Sequence, residues 1–216
     1  MDDLPDVFFS ADDGWAETRH VYLAGNGLPG RWEEQPSFVV SELGFGTGLN
    51  LVALMTLADD ERRAGRAVPR LVYQSVEWRP RPRSDLEALA QRWPSLEPAV
   101  TALAAVYDPQ PGWNLWSVGD LTLRLFAGDA RLLPESSGFV PADAWFLDGY
   151  APDRAPELWE PALLAWVGRA TVPGGTAATY SAAGVVKQGL RAAGFAVTRA
   201  PGWGQKRHMV KAILSK

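Results

Sequence analysis

The stretch Phe38-Val39-Val40-Ser41-Glu42-Leu43-Gly44-Phe45-Gly46-Thr47-Gly48-Leu49-Asn50 constrains this chain more than any other. Its apolar, β-branched start reads as a strand covered on both faces. Three glycines at alternate positions follow, and then Leu49, Leu51, Val52, Leu54, Met55 and Leu57 recur at helical spacing. Strand, glycine turn and helix make the opening unit of a nucleotide-binding α/β fold. The glycines permit a tight turn and a close backbone approach to a ligand, and the free N–H groups of the helix start face it. A dinucleotide site asks for G-x-G-x-x-G. Here the spacing is Gly44-x-Gly46-x-Gly48 behind Glu42, and a purely structural or dinucleotide role for the turn stays open.

Composition narrows the chemistry. With 216 residues, 47% of them hydrophobic, the chain suits one soluble domain with a substantial core. It has no cysteine, which removes disulfides, thiol nucleophiles and cysteine–zinc sites. Its two histidines, His20 and His208, are far apart in sequence, so no metal site is expected. Met1-Asp2-Asp3 opens without a signal-peptide core and no apolar run reaches spanning length, so a cytoplasmic protein is expected. The charge is unevenly spread. Residues 161–216 hold eight Lys and Arg and no acid, so the overall charge of −4 leaves the first 160 residues with −12. Such division suits a basic face for an anionic partner, or a solubilising surface with chance clustering.

Along the chain, Val7-Phe8-Phe9 and His20-Val21-Tyr22-Leu23 flank the turn Asp12-Asp13-Gly14, which suggests an N-terminal β-hairpin over residues 1–36. Arg19, His20, Asn26, Arg31 and Trp32 there can serve a site or cap the sheet. Arg70 to Glu77 reads as the second strand. The carboxylate at its end suits vicinal ribose hydroxyls, unless Glu77 is an ordinary solvated acid. Trp78-Arg79-Pro80-Arg81-Pro82-Arg83 blocks regular structure, and helices are expected up to Trp93 and from Leu96 to Tyr107. Trp113–Val118 and Leu121–Phe126 form a hairpin around Gly119-Asp120. Asp129 follows as an acceptor for an adenine amino group or as a helix N-cap. Ala144 to Leu147 is a further strand, and Asp148 at its carboxyl end falls where open α/β sheets bind ligands. A helix from Pro156 to Arg169, a turn at Pro173-Gly174-Gly175 and a strand from Thr176 to Tyr180 come next. A helix from Ala182 to Ala193 precedes a closing hairpin of Phe195–Arg199 and His208–Leu214.

The E-x-G-x-G-x-G form resembles motif I of class I S-adenosylmethionine-dependent methyltransferases. Further blocks narrow the resemblance: Ala16-Glu17-Thr18-Arg19-His20-Val21-Tyr22-Leu23 with Gly25-Asn26, Gly128-Asp129-Ala130-Arg131, Phe146-Leu147-Asp148-Gly149-Tyr150-Ala151-Pro152 and Gly202-Trp203-Gly204-Gln205-Lys206-Arg207. In that order they resemble the tRNA (5-methylaminomethyl-2-thiouridylate) methyltransferase family, the methyltransferase half of bifunctional MnmC enzymes and their stand-alone MnmD relatives. Trp15 and Trp203 depart from the Leu and Phe of that pattern, and His208 stands in place of an acid.

The resemblance implies a Rossmann-like, mostly parallel seven-stranded sheet with an antiparallel C-terminal hairpin, over residues 37–216. It implies S-adenosylmethionine as cofactor, held by Glu42, Gly44, Gly46, Gly48, Asn50, Glu77, Asp129 and Asp148. Asp148 would be catalytic, while Asn26, Tyr150, Pro152, Lys206 and Arg207 would bind substrate. The reaction would be methyl transfer to the aminomethyl nitrogen of a wobble uridine in a tRNA anticodon loop. Fused members continue into a flavin-dependent oxidase, so this chain would need that oxidase, or another source of aminomethyl uridine, elsewhere. A methyltransferase for a small amine or a protein and a non-catalytic nucleotide-binding scaffold are the competing readings.

Overall fold

The computed structural model describes residues 13–32 and 35–215. Asp13 caps the first helix, α1 (Gly14–Thr18), by accepting the Ala16 N–H at 3.2 Å. The helix widens into a π turn over Arg19–Leu23 and tightens into a 3-10 turn over Ala24–Asn26. The expected second hairpin strand is therefore helical, and Val7-Phe8-Phe9 lies outside the described residues. A four-residue apolar run is too short for periodicity to separate strand from helix. Helical winding buries Val21, Tyr22 and Leu23 together against the first core cluster.

β1 (Ser37–Leu43) runs through the glycine turn into α2 (Leu49–Arg63), and β2 (Arg70–Glu77) follows. Two helices, α3 (Arg83–Arg92) and α4 (Glu97–Val106), lead to the hairpin β3 (Gly112–Val118) and β4 (Leu121–Ala127). β5 (Ala142–Leu147) precedes a 3-10 turn at Pro156–Trp159 and α5 (Pro161–Arg169), so the single helix expected there is split, with Pro161 in the first turn of α5. β6 (Thr171–Thr179) absorbs Pro173-Gly174-Gly175, expected as a turn, as an irregularity where its register on β5 shifts. α6 (Gly184–Ala192), β7 (Phe195–Pro201) and β8 (His208–Leu214) end the fold.

Among the described residues the strands form one sheet of eight, where seven were expected, in the order β3-β4-β2-β1-β5-β6-β8-β7. The additional strand is β3, antiparallel on β4 at the edge. β4, β2, β1, β5 and β6 are mutually parallel, and β8 is antiparallel to both β6 and β7. Alternation along β5 divides the core: Phe146 packs with α2, α4 and the N-terminal turns, while Trp145 and Leu147 pack with α5 and α6. Val21, Tyr22, Leu23, Leu28 and Trp32 belong to the first of these clusters.

The strand order reverses between the parallel neighbours β1 and β5, where Leu43 pairs with Leu147, and a ligand crevice opens outside such a switch point. Gly44 has φ +94°, and a Cβ on it would sit 3.0 Å from the Asp148 carbonyl oxygen. The two loop starts touch because no side chain separates them. Gly44→Ala is expected to cost on the order of 1–3 kcal/mol, read as a lower urea midpoint, and to loosen the Asp148 loop. An unchanged midpoint would show that this contact constrains nothing.

Candidate active site

A cavity of about 530 Å³ opens at this switch point, between the carboxyl ends of β1, β2, β4 and β5 and the inner side of α1. Asp148, half-buried on its floor, is held by two donors. The Tyr22 hydroxyl gives Oδ1 a bond of 2.5 Å, and Asn50 Nδ2 gives Oδ2 one of 2.6 Å. The same Asn50 nitrogen donates to Glu42 Oε1 at 2.8 Å, and Asn50 Oδ1 accepts from the Thr18 hydroxyl at 2.9 Å. Ser75 Oγ donates to Glu42 Oε2 at 2.7 Å. One amide thus joins two carboxyl groups.

Burial sets their charge. It pushes Glu42 up to about 8, with the Asp148 carboxylate adding to the shift and the bonds from Asn50 and Ser75 opposing it. Burial also pushes Asp148 up to about 7, against the bonds from Tyr22 and Asn50 that favour its anion. Burial first, and then Asp148, keeps the Tyr22 phenol far above its ordinary value, so it serves as a donor. Near neutral pH, Glu42 holds a proton and Asp148 is poised to take or release one.

Other predicted site residues are placed unevenly. Gly44, Gly46, Asn50, Glu77, Asp129, Asp148, Tyr150 and Lys206 line the cavity. Glu77 accepts the Gly46 and Arg79 N–H groups, each at 2.9 Å, and burial raises its proton affinity. Asp129 behaves as the N-cap alternative required, accepting the Arg131 N–H at 2.9 Å, and it also pairs with the Arg131 guanidinium at 2.6 Å. The Arg131 side-chain bond, with its charge, holds the Asp129 carboxyl below the usual range.

Five expectations need correction and one needs refinement. Glu42 does not line the cavity; it lies beneath, as a support for Asn50. Gly48 also stands back, with φ +77° and room for no Cβ beside Phe45 and Leu103. Asn26 is buried and saturated, donating to the Tyr22 and Trp145 carbonyls at 2.9 and 3.1 Å and accepting from Thr176 Oγ1 at 2.7 Å. Its short amide locks the π turn to β5 and β6 instead of reaching a substrate. Pro152 and Arg207 fall outside the cavity wall. Lys206 does line it, though its ammonium is held at 2.7 Å by Glu17 and 4.0 Å above the Tyr180 ring. Arg31 and Trp32 also prove structural: Arg31 bonds Thr176 Oγ1 at 2.7 Å, and Trp32 is in the core.

Sequence reasoning missed Glu17, Thr18, Tyr22 and Tyr180. Thr18 and Tyr22, four apart, stand one helical turn from each other and face the same cavity.

The family of S-adenosyl-L-methionine-dependent methyltransferases matches residues 101–215. The chain belongs to that family. Its relatives include the tRNA 5-methylaminomethyl-2-thiouridine biosynthesis bifunctional protein MnmC of Ralstonia nicotianae, 43% identical over 96% of this chain and 31% of that protein. The protein of the same name from Chromobacterium violaceum is 43% identical over 94% of this chain and 31% of its own length. The chain thus spans about a third of the curated relatives it matches. In fold it is similar to the crystal structure of MNMC2 from Aquifex aeolicus, with a TM-score of 0.71 and 24% identity over 95% of this chain and 63% of that one. S-adenosylmethionine is the cofactor of this methyltransferase. No helix among the described residues is long and apolar enough to cross a membrane.

The raised carboxyl groups make stability depend on pH. The folded chain retains protons that an unfolded Glu, ordinarily at 4.5, and Asp, at 3.8, release before about 8 and about 7. Stability from these groups is therefore full below the unfolded values and declines as pH rises through that window. The melting temperature of Glu42→Gln is expected to decline less between about pH 5 and about pH 8 than that of the wild type. Parallel curves would show that Glu42 is not the proton holder.

Proposed function

We propose that this methyltransferase acts on the aminomethyl nitrogen of 5-aminomethyl-(2-thio)uridine at the wobble position of tRNA. The carrying observation is Asp148: a carboxyl group with an affinity for protons near neutrality, fixed by Tyr22 and Asn50 on the cavity floor. A primary alkylamine is mostly protonated near neutral pH and lacks a free lone pair in that form. A group poised as Asp148 is suits the removal of that proton. The relatives named for 5-methylaminomethyl-2-thiouridine biosynthesis support the choice of amine.

The residues present fit the cofactor. The cavity has the size of a small-molecule site, and Gly44, Gly46 and Gly48 all hold positive φ, which leaves the turn without side chains. Bound S-adenosylmethionine supplies an electrophilic methyl group on a sulfonium centre. Gly44, Gly46 and Glu77 would hold its nucleoside end. Each Glu77 oxygen accepts one backbone N–H and keeps capacity for a ribose hydroxyl. Asp129, tied to Arg131, would flank the base through its loop more than through a free carboxylate.

Toward the substrate, Trp78 and Tyr150 stand on the cavity wall with 63% and 37% of their surface exposed. Single-stranded loops are read by splayed bases stacked on such rings. Arg154 lines the same cavity and offers charge to phosphates, while Arg131 there is committed to Asp129. The acid-free segment after residue 160 builds α5, most of β6 to β8 and α6, so its cations gather at one end of the sheet. Asp148 takes a proton from the amine nitrogen, Tyr22 and Asn50 hold the carboxylate still, and the cavity wall aligns the nitrogen. Alignment contributes more than proton transfer to a displacement of this kind. The aminomethyl group itself would come from separate chemistry, a flavin-dependent oxidase or another source.

Nucleoside mass analysis of tRNA carrying aminomethyl uridine, incubated with the protein and S-adenosylmethionine, tests this reading. One added methyl group on that nucleoside is expected; an unmodified nucleoside overturns the proposal. Asp148→Asn should lower kcat by about 10²–10⁴ with near-normal affinity for tRNA and cofactor. Wild-type kcat/KM should decline as pH drops through about 7, where Asp148 becomes protonated, and the variant should lose that limb. Wild-type turnover in Asp148→Asn would make the carboxylate structural.

A further inference from the structure

The wall beside Asp148 carries an ion pair that the proposed proton transfer does not use. Glu17, on α1, is only 9% exposed and lines the cavity. Its Oε1 accepts from Lys206 Nζ at 2.7 Å, and the same Nζ lies 4.0 Å from the centroid of the Tyr180 ring. Tyr180 is pinned in turn, since its hydroxyl donates to the Gly149 carbonyl at 3.0 Å, one residue beyond Asp148. Thr18, next to Glu17, reaches Asp148 through Asn50. The carboxylate, the ring and Asp148 thus belong to one fixed framework.

Lys206 belongs to that framework less firmly. It sits in the loop between β7 and β8, and its side chain remains 42% exposed despite the pair. A lysine side chain ends in –CH2–NH3⁺, the group that an aminomethyl uridine carries. A buried carboxylate with an aromatic face is the chemistry that binds an alkylammonium. Lys206 is the lysine of the cavity wall, beside the arginines 131 and 154.

We propose that Glu17 and Tyr180 form the seat for the substrate's alkylammonium group, and that Lys206 occupies this seat in the free protein and withdraws when substrate enters. The inference rests on the aminomethyl-uridine reading and adds the residues that recognise its amine. Glu17 gives the charge, the Tyr180 face gives shape and polarity, and Asp148 receives the proton from a cation already held. Lys206 is long and exposed enough to swing to solvent. An uncharged uridine cannot displace it, so the lysine also discriminates against RNA that lacks the amine.

The test compares two RNAs. Affinities are measured for an anticodon stem-loop with 5-aminomethyluridine and for the same stem-loop with uridine, and their ratio cancels phosphate contacts. Glu17→Gln should lower that ratio by about tenfold or more, the scale of a charge-assisted bond. Lys206→Met, which removes the internal occupant, should raise it by about threefold, the scale of a partly exposed ion pair. Both variants break the same pair, so a merely structural clasp would move them alike, and that result overturns the proposal. Tyr180→Phe should keep the ratio and Tyr180→Leu lose it, a comparison that does not depend on Glu17→Gln folding. If the wild type methylates the amine while all ratios stay unmoved, the seat is wrong and the function stands. If the wild type neither prefers nor methylates the aminomethyl RNA, the function falls and the seat with it.

Discussion

Everything at the catalytic end of the sheet depends on one primary amide. Asn50 Nδ2 donates to Glu42 and to Asp148, and its oxygen accepts from Thr18. Two carboxylates this close in a buried setting repel each other, and the proton that Glu42 retains relieves the repulsion. Removing the amide would leave both acids short of a donor, at a desolvation cost of about 1–3 kcal/mol for each such group. The network therefore does two things: it fixes the position of Asp148, and it keeps Asp148 as the acid that titrates near neutrality.

The network spans four parts of the chain, which ties function to fold. Glu42 ends β1, Asn50 opens α2, Asp148 follows β5, and Thr18 and Tyr22 come from the N-terminal helical turns. Those turns are part of the first core cluster through Val21, Leu23 and Trp32. They consequently act as a wall of the site as well as a cover for the sheet. Asn26 and Arg31 hold that wall by bonding to carbonyls of β5 and to Thr176 of β6. Polar groups that looked available for ligands in the sequence are consumed by this docking.

The electrostatic layout follows the same economy of placement. Acids buried at the cavity floor carry raised proton affinity, while those near its rim, such as Asp129, are neutralised by arginine. The cavity floor thus carries carboxyl groups of raised proton affinity, and the exposed rings of Trp78 and Tyr150 stand on its wall.

Much of this was legible in the sequence. The run from Phe38 to Asn50 announced strand, turn and helix, because hydrophobic period and glycine φ are local properties. Glu77, Asp129 and Asp148 were identifiable as acids at strand ends, since strand limits follow from the same local pattern. The tertiary structure alone decided what those acids do. Glu77 faces the turn N–H groups and Asp129 is claimed by Arg131, while Glu42 is withdrawn beneath the floor. It also decided the winding of Arg19–Leu23, where the three core positions Val21, Tyr22 and Leu23 are too few to select a period and packing against β5 and β6 selects helix. The pairing of Glu17 with Lys206 joins positions 189 residues apart. No local propensity reports such a contact, because it exists only once β7 and β8 have closed the sheet.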